Sequence, residues 1–534
     1  MSNESRRGSF FVAAGILLSR CFGLIRQTLL AHYLGLSDAA DALNTAFRIP
    51  NFLQNLLGEG ALSASFIPSY SRLLGDGDEE EARRLAGALL SVMLLAVAII
   101  VLAGELATPS IMSLLVSHQW PAEKRALTAR LVQILFPGAG IMVFSAWCLG
   151  VLNSHRKFLL SYASPVVWNL TIIAAIILFG RHAGGGDRLD RFVVITAYGA
   201  VAGSLLQVLV QLPAVMRVGG RIVPMAWNRA RELPHVVRAF VPNVISRGAN
   251  QISALVDLYI ASSIPMVGAV AAIANAQVLY TLPVSLFGMA VSAAELPEMA
   301  RERGDAATIA TALRLRLSGA TQRLAFYIVP SALGFLTLGG VIAAAMFQTG
   351  RFKHPDSNFV WIVLAGSATG LLASTLGRLY ASTFYALDDT RTPLYCGIVR
   401  VLLTGILGWI AAILLPPALG LEAKWGAAGL TATAGIAGWV EFSLLRRALC
   451  HRLGHFSLEG GEQLKLWIAG LAAAVVGTII RLAGAELHPI VLALLAVPAN
   501  AITYLVITSW WDIPEAAVLT SRIRRVLRGE FRPA

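Results

Sequence analysis

The sequence predicts an all-α polytopic membrane protein of about fourteen transmembrane helices, built as two pseudo-symmetric six-helix lobes with two further helices at the end. Three observations predict it. Hydrophobic residues make up 56% of the 534 and charged residues only 14%, against about 25% charged in an ordinary soluble domain; mean hydropathy is +0.68. Apolar segments of the roughly 20 residues needed to cross hydrocarbon recur down the whole length, leaving no room for a large soluble domain. The two halves also echo one another. Leu18-Ser19-Arg20 returns as Ile245-Ser246-Arg247 and Ala64-Ser65-Phe66-Ile67-Pro68 as Ala293-Ala294-Glu295-Leu296-Pro297, offset by 227 and 229 residues, the kind of repeat from which transporters are often built.

The spans fall at 9–35, 43–73, 84–116, 128–153, 160–181, 191–217, 240–264, 267–298, 320–348, 359–386, 393–416, 425–449, 464–483 and 488–511. The implied organisation is a first lobe over 1–219, a basic interfacial linker over 220–239, a second lobe over 240–452, two last spans within 453–512 and a basic amphipathic tail over 513–534. Arg6-Arg7 followed by an apolar run has the look of a signal peptide, but Arg20 interrupts it and no small-residue cleavage site follows, which predicts an uncleaved first span. By count about 27 Lys and Arg flank the spans on the side of the two termini and about 10 on the other, so both termini are expected to be cytoplasmic. With the net charge of +13 sitting at membrane edges, nucleic acid is not an expected partner; anionic membrane lipids are.

The first two spans carry the chemistry. Arg20, Arg26, Asp41, Arg48 and Glu59 lie in apolar surroundings, where each charge costs at least about 2.5 kcal/mol unless it meets water, a partner or a ligand. Taken at 100° per residue from Asp41, Arg48 lies at about −20°, Asn51 at about −80°, Asn55 at about −40° and Glu59 at about 0°, a single polar stripe bent at Pro50. Such a stripe is expected to wall an internal cavity. Arginine presents a permanently charged, planar fork that grips phosphate oxygens in pairs, so the stripe suits anion recognition, with Asp41 and Glu59 orienting the arginines. A closed salt-bridge network joining the two spans is the other use of these charges; three arginines against two acids leave one positive charge over.

The acidic run Asp76 to Glu81 reads as solvated loop, and Asp388-Asp389 beside Arg391 as a helix cap or topology signal. In the second half Arg247, Asn250, Gln251, Asp257, Gln277, Arg378 and Arg400 fall within spans; Asp257 paired with an arginine such as Arg400 would lock that bundle together. Between the halves, Arg221, Trp227, Arg229 and Arg231 suggest a linker lying on anionic lipid, and from Pro514 onward apolar and arginine positions alternate as in an interfacial helix. Cys21, Cys148, Cys396 and Cys450 have no metal or disulfide spacing and read as packing residues. G-x-x-x-x-G-K-S/T, H-E-x-x-H, C-x-x-C and G-x-S-x-G are all missing, so no catalytic activity, metal or ATP-driven step is expected.

Gly15-Ile-Leu-Leu-Ser-Arg-Cys-Phe-Gly-Leu-Ile-Arg26, Ala40-Asp-Ala-Leu-Asn-Thr-Ala-Phe-Arg-Ile-Pro-Asn51 and Gly58-Glu-Gly-Ala-Leu-Ser63 resemble the opening of the MurJ (MviN) lipid II flippases of the MOP exporter superfamily. Leu152-Asn-Ser-His-Arg-Lys-Phe158, Pro165-Val-Val-Trp-Asn169, Leu282-Pro-Val-Ser-Leu-Phe-Gly288 and Phe384-Tyr-Ala-Leu-Asp-Asp-Thr-Arg-Thr-Pro393 continue the resemblance in order. It implies two lobes around a V-shaped central cavity, a lipid-accessible groove on the last two spans, and alternating access that carries undecaprenyl-diphosphate-linked peptidoglycan precursor, lipid II, outward across the bacterial inner membrane, with the chain acting as a monomer. It places substrate-binding residues at Arg20, Arg26, Asp41, Arg48 and Asn51, to which the stripe adds Glu59 and the second half Arg247 and Gln277. The family's later arginines are replaced by Gln54-Asn55 and by Gln277-Val278, and Arg247 is the expected source of the missing charge. A coupling ion (sodium, proton or chloride) or the membrane potential would bias the cycle, with Asp257 as the candidate ion ligand; two charges moved through 100 mV are worth about 4.6 kcal/mol. The alternative is another exporter of the same superfamily, for lipid-linked polysaccharide or drugs; a drug exporter would be expected to line its cavity with aromatic and acidic groups.

Overall fold

The computed structural model describes residues 3–181, 187–220, 222–289, 291–292, 295, 298–299, 305–387, 389–454 and 460–527, and these are almost all helical. Contacts divide the chain into two compact units, one of Met1–Ala271 with Gly350–Phe352, the other of Ala272–Thr349 with Lys353–Ala534.

The first unit contains α1 (Asn3–Leu34), α2 (Asp38–Leu57), α3 (Glu59–Gly75), α4 (Glu79–Leu106), α5 (Thr108–Leu115), α6 (Ala122–Ser154), α7 (Phe158–Ala163), α8 (Pro165–Gly180), α9 (Asp187–Gly219) and α10 (Leu233–Ser263). Ser37 caps α2 by accepting from the Ala40 backbone N–H at 3.2 Å, and Asp38 and Asp41 occupy its first turn, where acids favour a helix start. The helix ends at Gly58, so Glu59 begins a separate helix and does not continue the stripe of α2. α6 is the central post, packed against α2, α3, α4 and α9, while α8 lies between α1 and α9. α10, which the repeat assigns to the second half, packs against α2 and α3.

The acidic run after α3 is solvent-exposed through Glu80, as expected, but from Asp78 onward it is part of the start of α4 and not loop. Asp78 caps α4, and Glu81, buried, accepts from the Arg231 backbone N–H at 2.5 Å. With the Arg72–Glu232 pair at 2.7 Å, this ties the basic linker to α3 and α4 and leaves Trp227 73% exposed.

The second unit holds most of α11 (Ala269–Pro283, continued as a π-turn over Val284–Met289), then α12 (Ala306–Phe347), α13 (His354–Ala368), α14 (Leu371–Ala386), α15 (Arg391–Trp409, with a π-turn over Ile410–Leu414), α16 (Leu415–Ala418), α17 (Lys424–Leu453), α18 (Gly460–Ala483), α19 (Pro489–Trp510) and α20 (Pro514–Leu527). α17 packs against α13, α14 and α15, and α12 carries the pair α18–α19, with the Tyr504 hydroxyl donating to the Phe326 carbonyl at 2.8 Å. Asp389 accepts from the backbone N–H groups of Arg391 (2.9 Å) and Thr392 (3.0 Å) and so caps α15; those donors, with the Thr392 hydroxyl, hold its carboxyl below the usual range.

Ten helices among the described residues are long and apolar enough to cross a membrane, and α13 with α14, bent by 43°, makes an eleventh. α1, α2–α3 and α10 are not among them. α2 carries the polar stripe, and α1 and α10 carry further charges, Arg20, Arg26 and Asp257 among them; together with the eleven they occupy the fourteen predicted positions. Large apolar side chains lie outward along the passing helices, among them Leu95, Leu178, Leu482 and Leu494, which is the surface a lipid-embedded protein presents.

Candidate functional site

In the first unit α1 contributes Arg20, exposed, and Arg26, partly buried. The Arg26 guanidinium lies 4.7 Å from the ring centroid of Trp168 on α8 and 6.0 Å from that of Phe47 on α2, a cation–π arrangement that holds the charge without neutralising it. Its Nε and Nη1 are buried and have no hydrogen-bond partner among the described residues. Opposite, Asn169 gives its amide N–H to the Pro165 carbonyl at 3.1 Å, which leaves its buried Oδ1 without a partner; Pro165 opens α8, so Trp168 and Asn169 follow within its first turns.

Beside the Arg26 cage lies a small cleft lined by Phe47, Pro50, Asn51 and Gln54 of α2, Trp168 of α8, and residues of α6 and α9 including Ser204. Pro50 withholds a backbone donor and loosens α2 where it borders this space. Beyond Ser204 along α9, buried Gln207 and Gln211 run through Ser145 to Ser164 in hydrogen bonds of 2.7, 2.9 and 2.5 Å.

Arg48, partly buried on α2, is faced by the negative charge of Asp257 on α10. Asp257 is therefore set against Arg48 and not Arg400, which pairs instead with Glu441 at 3.0 Å. Asn55 donates to Gln251 at 3.3 Å and joins α2 to α10 a second time.

Asp41 departs from expectation. Its oxygens do not hold the arginines: Oδ2 accepts from Lys124 Nζ at 2.7 Å and from the Gly268 N–H at 2.8 Å, and Oδ1 accepts from the Ala271 N–H at 2.9 Å. Lys124 also pairs with Asp38 at 2.7 Å and lies 4.0 Å from the Trp120 ring centroid. Asp41 is 1% exposed, so this is a closed and saturated ion pair that ties α2, α6 and the start of α11 within the first unit. Gly268, at φ +81° with Leu36 against the position of a β-carbon, brings its N–H into that corner as only glycine can.

Of the predicted site residues, Arg26 and Asn51 share the neighbourhood of Phe47 and Trp168, Arg48 faces Asp257 of α10, and Arg20 stands exposed on α1. The side chains of Glu59 and Arg247 lie outside the described residues. Gln277 belongs to the second unit, exposed, with its amide donating to Thr281 at 3.4 Å. Cys21, expected in packing, is exposed. Two contributors escaped the sequence: Lys124, whose partner lies 83 residues away, and Trp168, whose only signal was its place in Pro165-Val-Val-Trp-Asn169.

The family model described as lipid II flippase MurJ matches residues 30–497. A probable lipid II flippase MurJ of Rhizobium meliloti (strain 1021) is 30% identical over 454 residues, covering 84% of this chain and 81% of the relative. The lipid II flippase MurJ of Burkholderia cenocepacia is 29% identical over 480 residues, 88% of this chain and 89% of its own. Among solved structures, a lipid II flippase MurJ in an inward closed conformation superposes with a TM-score of 0.76 at 22% identity, over 94% of this chain and 98% of that one. An inward-facing MATE multidrug transporter of the MOP superfamily follows at 0.63 and 17%, over 82% and 94%. At such identities these two structures speak for the fold alone.

Proposed function

The chain belongs to the lipid II flippase MurJ family, and on that premise we propose that it carries undecaprenyl-diphosphate-linked peptidoglycan precursor from the cytoplasmic to the periplasmic leaflet of a bacterial inner membrane by alternating access. It is a multi-pass membrane transporter. The observation that supports a diphosphate cargo is Arg26: a guanidinium in the predicted first span, stacked on Trp168, with two buried nitrogens that no described residue satisfies. An unsatisfied buried donor is unfavourable in the empty protein, and a phosphate oxygen is the acceptor that a guanidinium fork fits best. In this reading Arg20 and Arg48 add charge, Asn51 and Gln54 offer neutral hydrogen bonds from the cleft, and Asp257 tempers Arg48. Asp41 is given a structural part, as the anchor of α2. The polyprenyl tail would ride on α18 and α19, whose outward faces are apolar. Displacement of positive charge through the membrane potential supports a cycle without ATP.

Depletion of the protein tests the function: lipid-linked precursor should accumulate in a form inaccessible to a probe added outside, and accessibility should return with the wild-type chain. The site is tested by complementation with Arg26→Gln and Arg20→Ala, which should fail while being expressed and folded. Full complementation by both would overturn the assignment.

A further inference from the structure

Arg378 on α14, Arg400 on α15 and Glu441 on α17 form a charged cluster in the second unit that the site above leaves unused. The helices that bear them are membrane-length, α14 through its pairing with α13. At 1.5 Å per residue Arg378 lies about 12 Å from the Ala386 end of α14, and Arg400 about 13 Å from the Arg391 end of α15. The short turn over 387–390 joins those two ends, so the arginines sit at similar depth.

Arg400 Nη1 donates to Glu441 Oε2 at 3.0 Å, the carboxylate largely buried and the guanidinium 40% exposed. Arg378 is exposed and has no carboxylate within 4.0 Å among the described residues. It lies within electrostatic reach of Arg400, Glu441 and Tyr280, and Tyr280 shares a 2.7 Å hydrogen bond with Ser374. One glutamate against two arginines leaves a net positive charge on an open surface of membrane-length helices. A guanidinium at such depth is unfavourable unless something anionic meets it. Glu441 fixes one edge of Arg400, which orients the rest of its fork, while no described carboxylate pairs with Arg378.

We propose that Arg378, seconded by Arg400, is an anion-binding point for the phosphate of a lipid, either a polyprenyl diphosphate or the headgroup of an anionic phospholipid. Binding at this point does not depend on the assignment of the first unit.

The test uses the full chain in nanodiscs, with farnesyl diphosphate titrated into phosphatidylcholine discs as one arm and phosphatidylglycerol retention, read by native mass spectrometry, as the other. All measurements are repeated in an Arg26→Gln background, so that loss at the first-unit arginine is counted separately. Arg378→Gln should weaken the operative ligand about tenfold, as expected for removal of one charge-assisted contact, and Arg378→Lys should weaken it less. Glu441→Gln should strengthen the same ligand two- to threefold, because it frees Arg400 and raises the local charge; a merely structural pair would not give this sign. Loss confined to farnesyl diphosphate assigns the point to a diphosphate, and loss confined to phosphatidylglycerol assigns it to the surrounding lipid; both support the proposal. Unchanged affinity for both probes in Arg378→Gln would overturn it. So would weaker binding in a Glu441→Gln protein that melts like the wild type, and these two glutamine variants and the lysine variant do not depend on one another's folding.

Discussion

Both units carry charges inside the predicted spans, yet they dispose of them differently. In the second unit Arg400 meets Glu441 at 3.0 Å, and near the helix ends Arg452 meets Asp389 at 2.6 Å while Arg316 meets Glu298 at 3.4 Å; Arg378 stands apart. In the first unit the most buried charges form the saturated Asp41–Lys124 corner, while Arg26 on α1 is left stacked on Trp168 and Phe47 with two buried nitrogens that no described residue meets. Saturation, and not burial, separates the charges that hold the fold from those that await a ligand. Removing a member of a saturated pair strands its partner and destabilises. Removing an unmet charge relieves a penalty.

The largest effect should come from the corner. Lys124→Ala leaves Asp41 buried with only two backbone donors, and a loss of about 3–5 kcal/mol is expected, as for other broken buried pairs. Chemical denaturation of the purified protein measures it. A loss under about 1 kcal/mol would break the comparison, because Asp41 would then behave as a ligand-facing charge.

Arg26→Met should act in the opposite sense on stability. It removes a guanidinium with two buried nitrogens that no described residue satisfies, so the melting temperature should stay level or rise, as when buried charges give way to apolar side chains, while translocation is lost. A matching fall in both would make Arg26 a structural group. Trp168→Leu, which keeps the charge but removes the face on which it rests, should weaken translocation severalfold, in line with a cation–π contribution of about 0.5–2 kcal/mol.

Much of this was legible in the sequence, and the limits have physical causes. Fourteen helical positions follow from runs of apolar residues, since hydrocarbon thickness fixes their length whatever the tertiary structure. Arg26 and Arg48 stood out because arginine is conspicuous among Leu, Ile and Phe. Their partners did not: Asp257 lies 209 positions from Arg48 and Lys124 83 from Asp41, and no local period links such pairs. The stripe failed at Gly58, where a helix break that a 100° projection ignores sets Glu59 on a new helix. Asp78 and Glu81 were misread because a capping acid and a solvated acid look alike until the neighbouring chain, here Arg231, is in place.

The smallest expected effect extends the comparison to a carboxylate outside the spans. Glu515, in the first turn of α20, has a buried Oε2 without a hydrogen-bond partner among the described residues. Burial raises its pKa above the ordinary 4.5, the charge of Glu462 raises it further, and Arg323 opposes both. Because the folded form favours the proton, the contribution to docking of α20 is complete below about 4.5 and is lost as pH rises through the raised value. Ile513 and Ala516, both buried, supply the apolar part of that docking at every pH. Trypsin cleavage within α20 should therefore be slower at mildly acidic than at alkaline pH relative to Glu515→Gln, whose uncharged amide removes the difference and cancels the protease's own pH profile from the ratio. A constant ratio would mean that this acid is met by solvent after all, and that an unmet buried atom outside the predicted spans does not carry the meaning it has at Arg26.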